Sequence, residues 1–218
     1  MPSNDRIIAE TAEHVRALMM GDSSGHDWQH VQRVRQTALA IARPEEADLV
    51  VVELAALLHD VADWKFAGGN ASAAPQAARQ WLAGRGADAA IIGHVAAIVG
   101  SLSFKGAGVS TPMATLEGQV VQDADRLDAL GAVGVARTFA YGGHKGQAMY
   151  DPDVPPQPHD SFEAYKRGGG TTINHFYEKL LLLKDRMNTA AGRRLAAERH
   201  CFLEQFLEQF LAESRGER

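Results

Sequence analysis

An all-α fold in one domain is predicted for this 218-residue chain by three features. Apolar residues recur at helical spacing in most segments, no stretch alternates convincingly between polar and apolar residues, and Ala and Leu outnumber the β-branched residues. The length suits one domain with a sizeable core. We therefore expect a single helical bundle over residues 1–218, with its core at about 20–141 and C-terminal helices at about 172–213 packed on that core.

Caps, glycines and prolines delimit the first helices. One is expected from about residue 4 to Gly21, and a second from Trp28 until Pro44 stops it. The third begins near Pro44, has an acidic first turn, and runs into the stretch 54–64, where no Gly or Pro interrupts it.

The remaining helices are expected at about 72–85, 88–99, 111–127, 131–141, 172–188 and 189–213. Thr111-Pro112 is interpreted as a cap followed by proline at the first helical position. Gly131 and Gly134 leave open whether their segment is one bent helix or two. The proline-rich residues 144–170 predict a long excursion with a short helix around 162–166.

Charge and cysteine content limit the classes of function. The formal net charge of −5 argues against a nucleic-acid partner but allows a small phosphorylated substrate, since a bound metal supplies local positive charge. The single cysteine, Cys201, provides no disulfide framework, as in proteins of reducing compartments. The N-terminal residues lack a signal-peptide pattern, and the longest apolar run, 49–58, contains Glu53 and is too short to span a bilayer. We expect a cytoplasmic protein without a membrane partner.

The stretch 54–64 is the centre of the functional prediction, because an apolar helix runs there into His59, Asp60 and Asp63. Residues three and four apart share a helix face, so Asp63 is expected beside the other two. Burying imidazole and carboxylate groups is costly unless they are paired or coordinate a metal. This ligand set suits Zn, Mn, Fe, Co or Ni. From this stretch alone, a His–Asp pair that satisfies itself in the core remains an equal alternative.

Two further residues lie on buried stripes of other predicted helices. His30 precedes Val31 and Val34, and Asp125 follows an apolar pair at 120–121. Together with the His-Asp pair at 59–60 they would supply two nitrogens and two carboxylates from three helices. That is a four-ligand site with room for water or substrate oxygens around one divalent cation.

At these residues the chain resembles the HD-domain superfamily of metal-dependent phosphohydrolases. His30, His59-Asp60 and Ala124-Asp125-Arg126 follow the H…HD…D pattern of that superfamily in order. Four further stretches resemble a small bacterial branch, so that the likeness extends over roughly residues 20–213; they are 25–28, 103–106, 122–129 and 175–180. The resemblance implies an HD-type all-α bundle that hydrolyses phosphoester or phosphoanhydride bonds. It further implies one divalent ion (Mn, Mg, Co, Ni, Zn or Fe) and a nucleotide substrate, with a nucleoside triphosphate favoured.

The resemblance also implies roles for single residues. The metal ligands by this pattern are His30, His59, Asp60 and Asp125. His26, one helical turn before the first ligand, competes with it and is otherwise a substrate contact or an exposed loop histidine. Asp63 stands four residues after the ligand histidine, where related hydrolases place a catalytic acid, more often a Glu. Its alternative is a capping or ion-pairing aspartate.

Phosphate chemistry also needs cations aimed at the phosphoryl oxygens. Lys65 is the catalytic candidate, and Lys105 and Arg126 are substrate-binding candidates, because they follow functional segments or lie in a Gly-containing loop. Each is also compatible with an ordinary surface role. His94 interrupts an apolar stripe and is either a hydrogen-bonded core histidine or a site residue; we assign it to substrate binding.

Three other functions compete with the hydrolase. A nucleotide-sensing module would keep the pocket without turnover. A di-iron oxygenase of the same superfamily would need additional histidine ligands between the His-Asp pair and Asp125, and only His94 lies in that interval. A phosphatase built on Asp123 and Asp125 would need alternating strands that the pattern lacks. A homodimer is left open as an assembly.

Overall fold

The fold is helical throughout the part of the chain that the computed structural model describes, which comprises residues 3–21, 25, 27–61, 72–102, 106, 108–157 and 169–217. These ranges contain α-helices and 3₁₀ turns and no strand, so the prediction of an all-α fold is confirmed. None of the described helices has both the length and the hydropathy needed to cross a lipid bilayer.

The α-helices are numbered in chain order. They are α1 (Asn4–Leu18), α2 (Trp28–Ala42), α3 (Leu49–Leu58), α4 (Ala73–Gly84), α5 (Ala89–Ser101), α6 (Leu116–Asp128), α7 (Gly131–His144), α8 (Asn174–Glu178) and α9 (Ala190–Ser214). Two 3₁₀ turns, Leu180–Leu182 and Lys184–Arg186, lie between α8 and α9.

The chain divides into two compact units. The first comprises Met1–Phe104 and Thr111–Ala124, and the second comprises Lys105–Ser110 and Asp125–Arg218. Helix α6 therefore contributes residues to both. The single domain expected over residues 1–218 stays a prediction.

Helix α3 forms the core of the first unit. It packs against α1, α2 and α5, and its apolar side chains are buried around most of its circumference, as expected for a helix surrounded by others. The buried residues are Val51, Val52 and Leu54 to Leu58. Asp48 caps its start by accepting the Val50 and Val51 N–H groups at 2.9 and 3.3 Å.

Helix α2 presents one apolar stripe that is completely or almost completely buried. The stripe consists of Val31, Val34, Ala38 and Ile41. On the same helix, the guanidinium of Arg35 pairs with the carboxylate of Glu53 on α3. Both side chains are largely buried, so this ion pair helps to fix α2 against α3, which the His-Asp pair directly follows.

The second unit is built around α7 and α9, which pack on each other. Aromatic rings from three helices meet there, with centroids 5.6–6.2 Å apart. They belong to Phe139, Phe176, Phe206 and Phe210. Aromatic pairs at these distances stabilise the packing of the three helices beyond the burial of their apolar area.

Several predicted helix boundaries are wrong. Helix α3 begins at Leu49, after the Asp48 cap, instead of near Pro44. It ends at Leu58, and residues 59–61 form a turn instead of continuing the helix. Helix α6 begins at Leu116 instead of near Thr111, with the Thr115 hydroxyl accepting the N–H of the third residue of α6 at 3.2 Å.

The helix predicted over 172–188 is instead the short α8 followed by the two 3₁₀ turns. Lys179 leaves the helical region, with φ −141°. Leu180 and Leu183 are both 1% exposed, and a 3₁₀ turn places residues three apart on one side. The helix predicted over 189–213 is confirmed as α9.

Glycine explains the break between α6 and α7. Gly131 has φ +69°, which disfavours any other residue. A Cβ at Gly134 would lie 2.3 Å from the carbonyl oxygen of Ala129. The two glycines thus permit a tight turn, and the alternative of two separate helices is correct.

Residues 145–157 of the predicted excursion are described and contain no helix. They are held against the segment before α8, since the Thr172 N–H donates to the Ala148 carbonyl at 2.9 Å and the Ile173 N–H to the Met149 carbonyl at 3.1 Å. The short helix expected around 162–166 lies outside the described residues.

Candidate metal centre

His30 reaches the site from the first turn of α2. Asp27 caps this helix by accepting the His30 N–H at 2.8 Å, which satisfies one of the donors left unpaired at a helix start. The imidazole is completely buried. The cap therefore fixes the backbone of a histidine whose ring has no contact with solvent.

His59 follows the last residue of α3, and its ring turns back on the helix. Its Nδ1 lies 2.8 Å from the Ala56 carbonyl oxygen. A carbonyl only accepts, so Nδ1 carries the proton and Nε2 of the neutral ring keeps its lone pair. One contact thus closes a helix end and presents a nitrogen suited to a metal.

Asp60 completes a three-residue cluster. Nε2 of His30 lies 3.0 Å from Nε2 of His59. Oδ2 of Asp60 lies 3.2 Å from the first nitrogen and 3.5 Å from the second. The Asp60 side chain is 9% exposed, so a carboxylate and two imidazoles share a largely dry pocket.

These distances fit a divalent cation. Two ligand atoms at about 2.1 Å from one ion, at right angles to each other, are about 3.0 Å apart. The three ligand atoms all lie within 4.8 Å of one another, and the nitrogen–nitrogen separation matches such an edge. The cluster can therefore hold a metal ion, and the donor set of two nitrogens and one carboxylate oxygen suits Zn or another transition metal.

Asp125 lies on α6 within the second unit and is partly buried. Its assignment as the fourth ligand stays a prediction from the H…HD…D pattern. The residues that follow it are firmly held. Arg126 donates from Nη1 to the Arg186 carbonyl, and Arg137 pairs with the Asp128 carboxylate at 3.1 Å.

His94 has two polar neighbours in the first unit. Its Nε2 is 2.9 Å from the Thr115 hydroxyl and 3.6 Å from Oε2 of Glu117. The other oxygen of Glu117 accepts the Asp48 N–H at 3.1 Å. His94 therefore links α5 to the start of α6 and, through Glu117, to the start of α3. Its assignment to substrate binding remains a prediction.

Four predicted site residues lie outside the described residues. They are His26, Asp63, Lys65 and Lys105.

Some groups that position the site residues were not predicted from the sequence. The Ala56 carbonyl and the backbone contacts of Arg186 have no motif that would reveal them, because main-chain acceptors leave no trace in side-chain patterns. The Asp27 cap had a recognisable signal, an aspartate directly before the apolar helix.

Comparisons with known proteins agree with this geometry. A model of the HD domain matches residues 27–130. Bacillus subtilis YpgQ, an uncharacterized protein, is 41% identical over 196 residues, which are 89% of this chain and 87% of YpgQ.

Solved structures are similar over nearly the whole chain. A Lactobacillus plantarum protein has a TM-score of 0.87 at 38% identity, covering 99% of this chain and 100% of its own. An HD-superfamily hydrolase from Bacillus thuringiensis has a TM-score of 0.73 at 41% identity, covering 98% and 99%. YpgQ in complex with ADP has a TM-score of 0.71 at 37% identity, covering 93% and 97%.

Proposed function

Because the chain belongs to the HD-domain superfamily, we propose that it is a metal-dependent phosphohydrolase that acts on a nucleotide, with a nucleoside triphosphate as the favoured substrate. The observation that carries the proposal is the buried cluster of His30, His59 and Asp60. Asp125 is the proposed fourth ligand on the strength of the superfamily pattern. A relative that forms a complex with ADP supports a nucleotide as the ligand class.

When bound, a divalent cation supplies Lewis-acid chemistry, since it polarises a phosphoryl oxygen and makes water nucleophilic at neutral pH. The protein's part is to hold the ligands in place. The Ala56 carbonyl fixes the tautomer of His59, and the Asp27 cap fixes the helix turn of His30. Asp63 is proposed to orient the attacking water or accept its proton, and Lys65 to balance charge on the phosphates.

His26, His94, Lys105 and Arg126 are proposed substrate contacts. Arg126 follows Asp125 in the sequence, and its guanidinium is held by a hydrogen bond from Nη1 to the Arg186 carbonyl. Lys105 precedes Gly106, whose carbonyl lies 3.3 Å from Nη1 of Arg186.

One metal is favoured over two. Among the described residues, the group of converging His and carboxylate ligands has three members and does not include His94. The extra histidine that a di-iron centre requires instead contacts Thr115 and Glu117.

The test is a screen of purified protein with Mn²⁺, Mg²⁺, Co²⁺ and Ni²⁺ against a nucleotide panel. Pyrophosphate release indicates attack at the α-phosphorus, and orthophosphate release indicates attack at a terminal phosphorus. Asp60→Ala should abolish turnover and metal retention while the helical circular dichroism persists. Full activity of Asp60→Ala would refute the mechanism.

The role of Asp63 has its own test. Removal of a general base costs about 10²–10⁴-fold in rate, so Asp63→Asn should lower kcat by about that factor and leave the metal bound. Unchanged turnover in Asp63→Asn would move the base to another residue, with His26 next in order.

A nucleotide-sensing module is the second candidate, because a relative in complex with ADP is equally consistent with binding alone. Nucleotide binding by calorimetry together with no turnover under any of the four metals would favour this function.

A further inference from the structure

The end of α6 is held by arginines of the second unit. Nη1 of Arg126 donates to the main-chain carbonyl of Arg186. Nη1 of Arg199 donates to the Leu127 carbonyl at 2.5 Å. A charged donor makes a stronger hydrogen bond than a neutral one. The residues directly after Asp125 are therefore fixed by contacts from distant parts of the chain.

Arg186 also holds the backbone at Gly106 and Val109. Its Nη1 lies 3.3 Å from the Gly106 carbonyl oxygen and 3.4 Å from that of Val109. The carbonyl of Arg186 meanwhile receives the guanidinium of Arg126. Arg186 thus joins the backbone at Gly106 and Val109, through its side chain, to the end of α6, through its main-chain carbonyl.

Stability alone is a weak reason for an arginine at this position. Moving a guanidinium out of water costs free energy, and burial lowers the pKa of Arg186 from its ordinary value. Even fully buried ion pairs can often be replaced by apolar side chains without loss of stability, and Arg186 is only partly buried. What an apolar side chain cannot provide is a pair of directed hydrogen bonds to two carbonyls.

We propose that Arg186 is a positioning residue for phosphate recognition, holding Arg126 and the backbone at Gly106 and Val109 in one fixed arrangement. This inference rests on the proposed function, in which Arg126 contacts the nucleotide phosphates. Arg186 itself acts through these residues and does not touch the substrate. Its loss should therefore weaken substrate binding more than it slows the chemical step.

The test compares three variants. Arg186→Met removes the donor, and Arg186→Lys keeps a cation whose ammonium has three donors. Arg193→Met is the matched control, because the exposed Arg193 donates to two backbone carbonyls, those of Met187 at 3.3 Å and Asn188 at 2.8 Å. It has no recorded contact with α6 or with the 106–109 segment among the described residues.

Arg186→Met should raise KM about tenfold, equivalent to about 1.4 kcal/mol of binding free energy, with kcat within about threefold of the wild type. Arg186→Lys should recover most of this loss, and Arg193→Met should leave both constants unchanged. Equal KM changes in the Met variants of Arg186 and Arg193, or a fall in kcat at unchanged KM, would overturn the proposal. If Arg186→Met does not fold, Arg186→Gln against Arg193→Gln decides by the same criterion.

Affinity for ADP with Mn²⁺, measured by calorimetry on the same variants, separates the two proposals. A wild type that binds ADP without turnover contradicts the proposed hydrolysis, while a tenfold weaker ADP affinity confined to Arg186→Met still supports the positioning role. A wild type that neither turns over nor binds any nucleotide contradicts both.

Discussion

Replacing Asp60 with asparagine separates the metal-binding role of its carboxylate from its part in folding. Oδ2 of Asp60 is 3.2 Å from Nε2 of His30. Since Nε2 of His59 keeps its lone pair, the proton between the two rings belongs to His30, and Asp60 is within reach of it. Asparagine would still accept that hydrogen bond, so the lost charge should cost only about 1 kcal/mol of unfolding free energy.

With a bound metal ion, the difference in unfolding free energy between the wild type and Asp60→Asn should be larger. An ion that binds only the native state at 100 times its Kd adds about 2.7 kcal/mol to the unfolding free energy. For a protein of this size, about 1 kcal/mol moves Tm by about 2–4 °C, so Mn²⁺ should raise the wild-type Tm by about 5–11 °C. If Asp60→Asn weakens Mn²⁺ affinity 100-fold, the same concentration adds only about 0.4 kcal/mol.

The assay is thermal unfolding with EDTA and with saturating Mn²⁺. The control is Asp153→Asn, which neutralises an exposed carboxylate of the second unit. Its Tm should rise with Mn²⁺ by as much as the Tm of the wild type. An Asp60→Asn protein whose Mn²⁺-dependent rise in Tm equals that of the wild type would refute the assignment of Asp60 as a ligand. A large loss of Tm in EDTA alone would instead indicate that the carboxylate is mainly structural.

Two further predictions concern stability outside the site. Burial, with a smaller contribution from the Arg85 charge, lowers the pKa of His14 below its ordinary 6.5. The unfolded chain then takes up the proton first, so this contribution to stability is complete above pH 6.5 and is lost as pH falls toward the lower folded-state pKa. In urea unfolding with EDTA, the free energy of unfolding should fall less between pH 8 and pH 5.5 for His14→Gln than for the wild type. An equal fall in both proteins would contradict this. Gly134→Ala should cost about 1–3 kcal/mol by overpacking against Ala129, whereas Gly143→Ala on the same helix, whose Cβ would meet nothing within 4 Å, should be neutral or stabilising by up to about 1 kcal/mol. Equal effects of the two alanines in urea unfolding would contradict the packing argument.

The sequence points to His30, His59 and Asp60 because they interrupt apolar segments, and the structure brings these three side chains together. His30 lies next to a completely buried stripe on α2. The His-Asp pair follows α3, whose apolar side chains are buried around most of its circumference. A polar residue in such a position is rare enough to mark a site. Helical periodicity predicts α2 and an uninterrupted apolar run predicts α3, and tertiary burial agrees with the local pattern in both.

Other features could not be predicted because they depend on contacts between distant residues. At the end of α3 the His59 ring contacts the Ala56 carbonyl. The sequence there has no Gly or Pro of the kind that usually marks a helix end. The leucine-rich segment after α8 has good helix propensity, but the joint burial of Leu180 and Leu183 favours 3₁₀ turns. The carbonyl contacts of Arg186 bridge residues 77 and 80 positions apart in the chain, and no local pattern indicates them.

The contact of His59 with Ala56 has a consequence for the rate at which the proposed metal ion would exchange. Two of the proposed ligands, His59 and Asp60, directly follow a helix that is packed in the core, and the third, His30, lies in the capped first turn of α2. Small zinc domains, in contrast, fold only when the ion arrives. Because packing and capping contacts hold these three residues in place, we expect metal uptake to require the ion to shed water but to require no folding step. A chelator should therefore leave the helical circular dichroism intact, and returning Mn²⁺ should restore the metal-bound Tm on mixing, without a slow refolding phase.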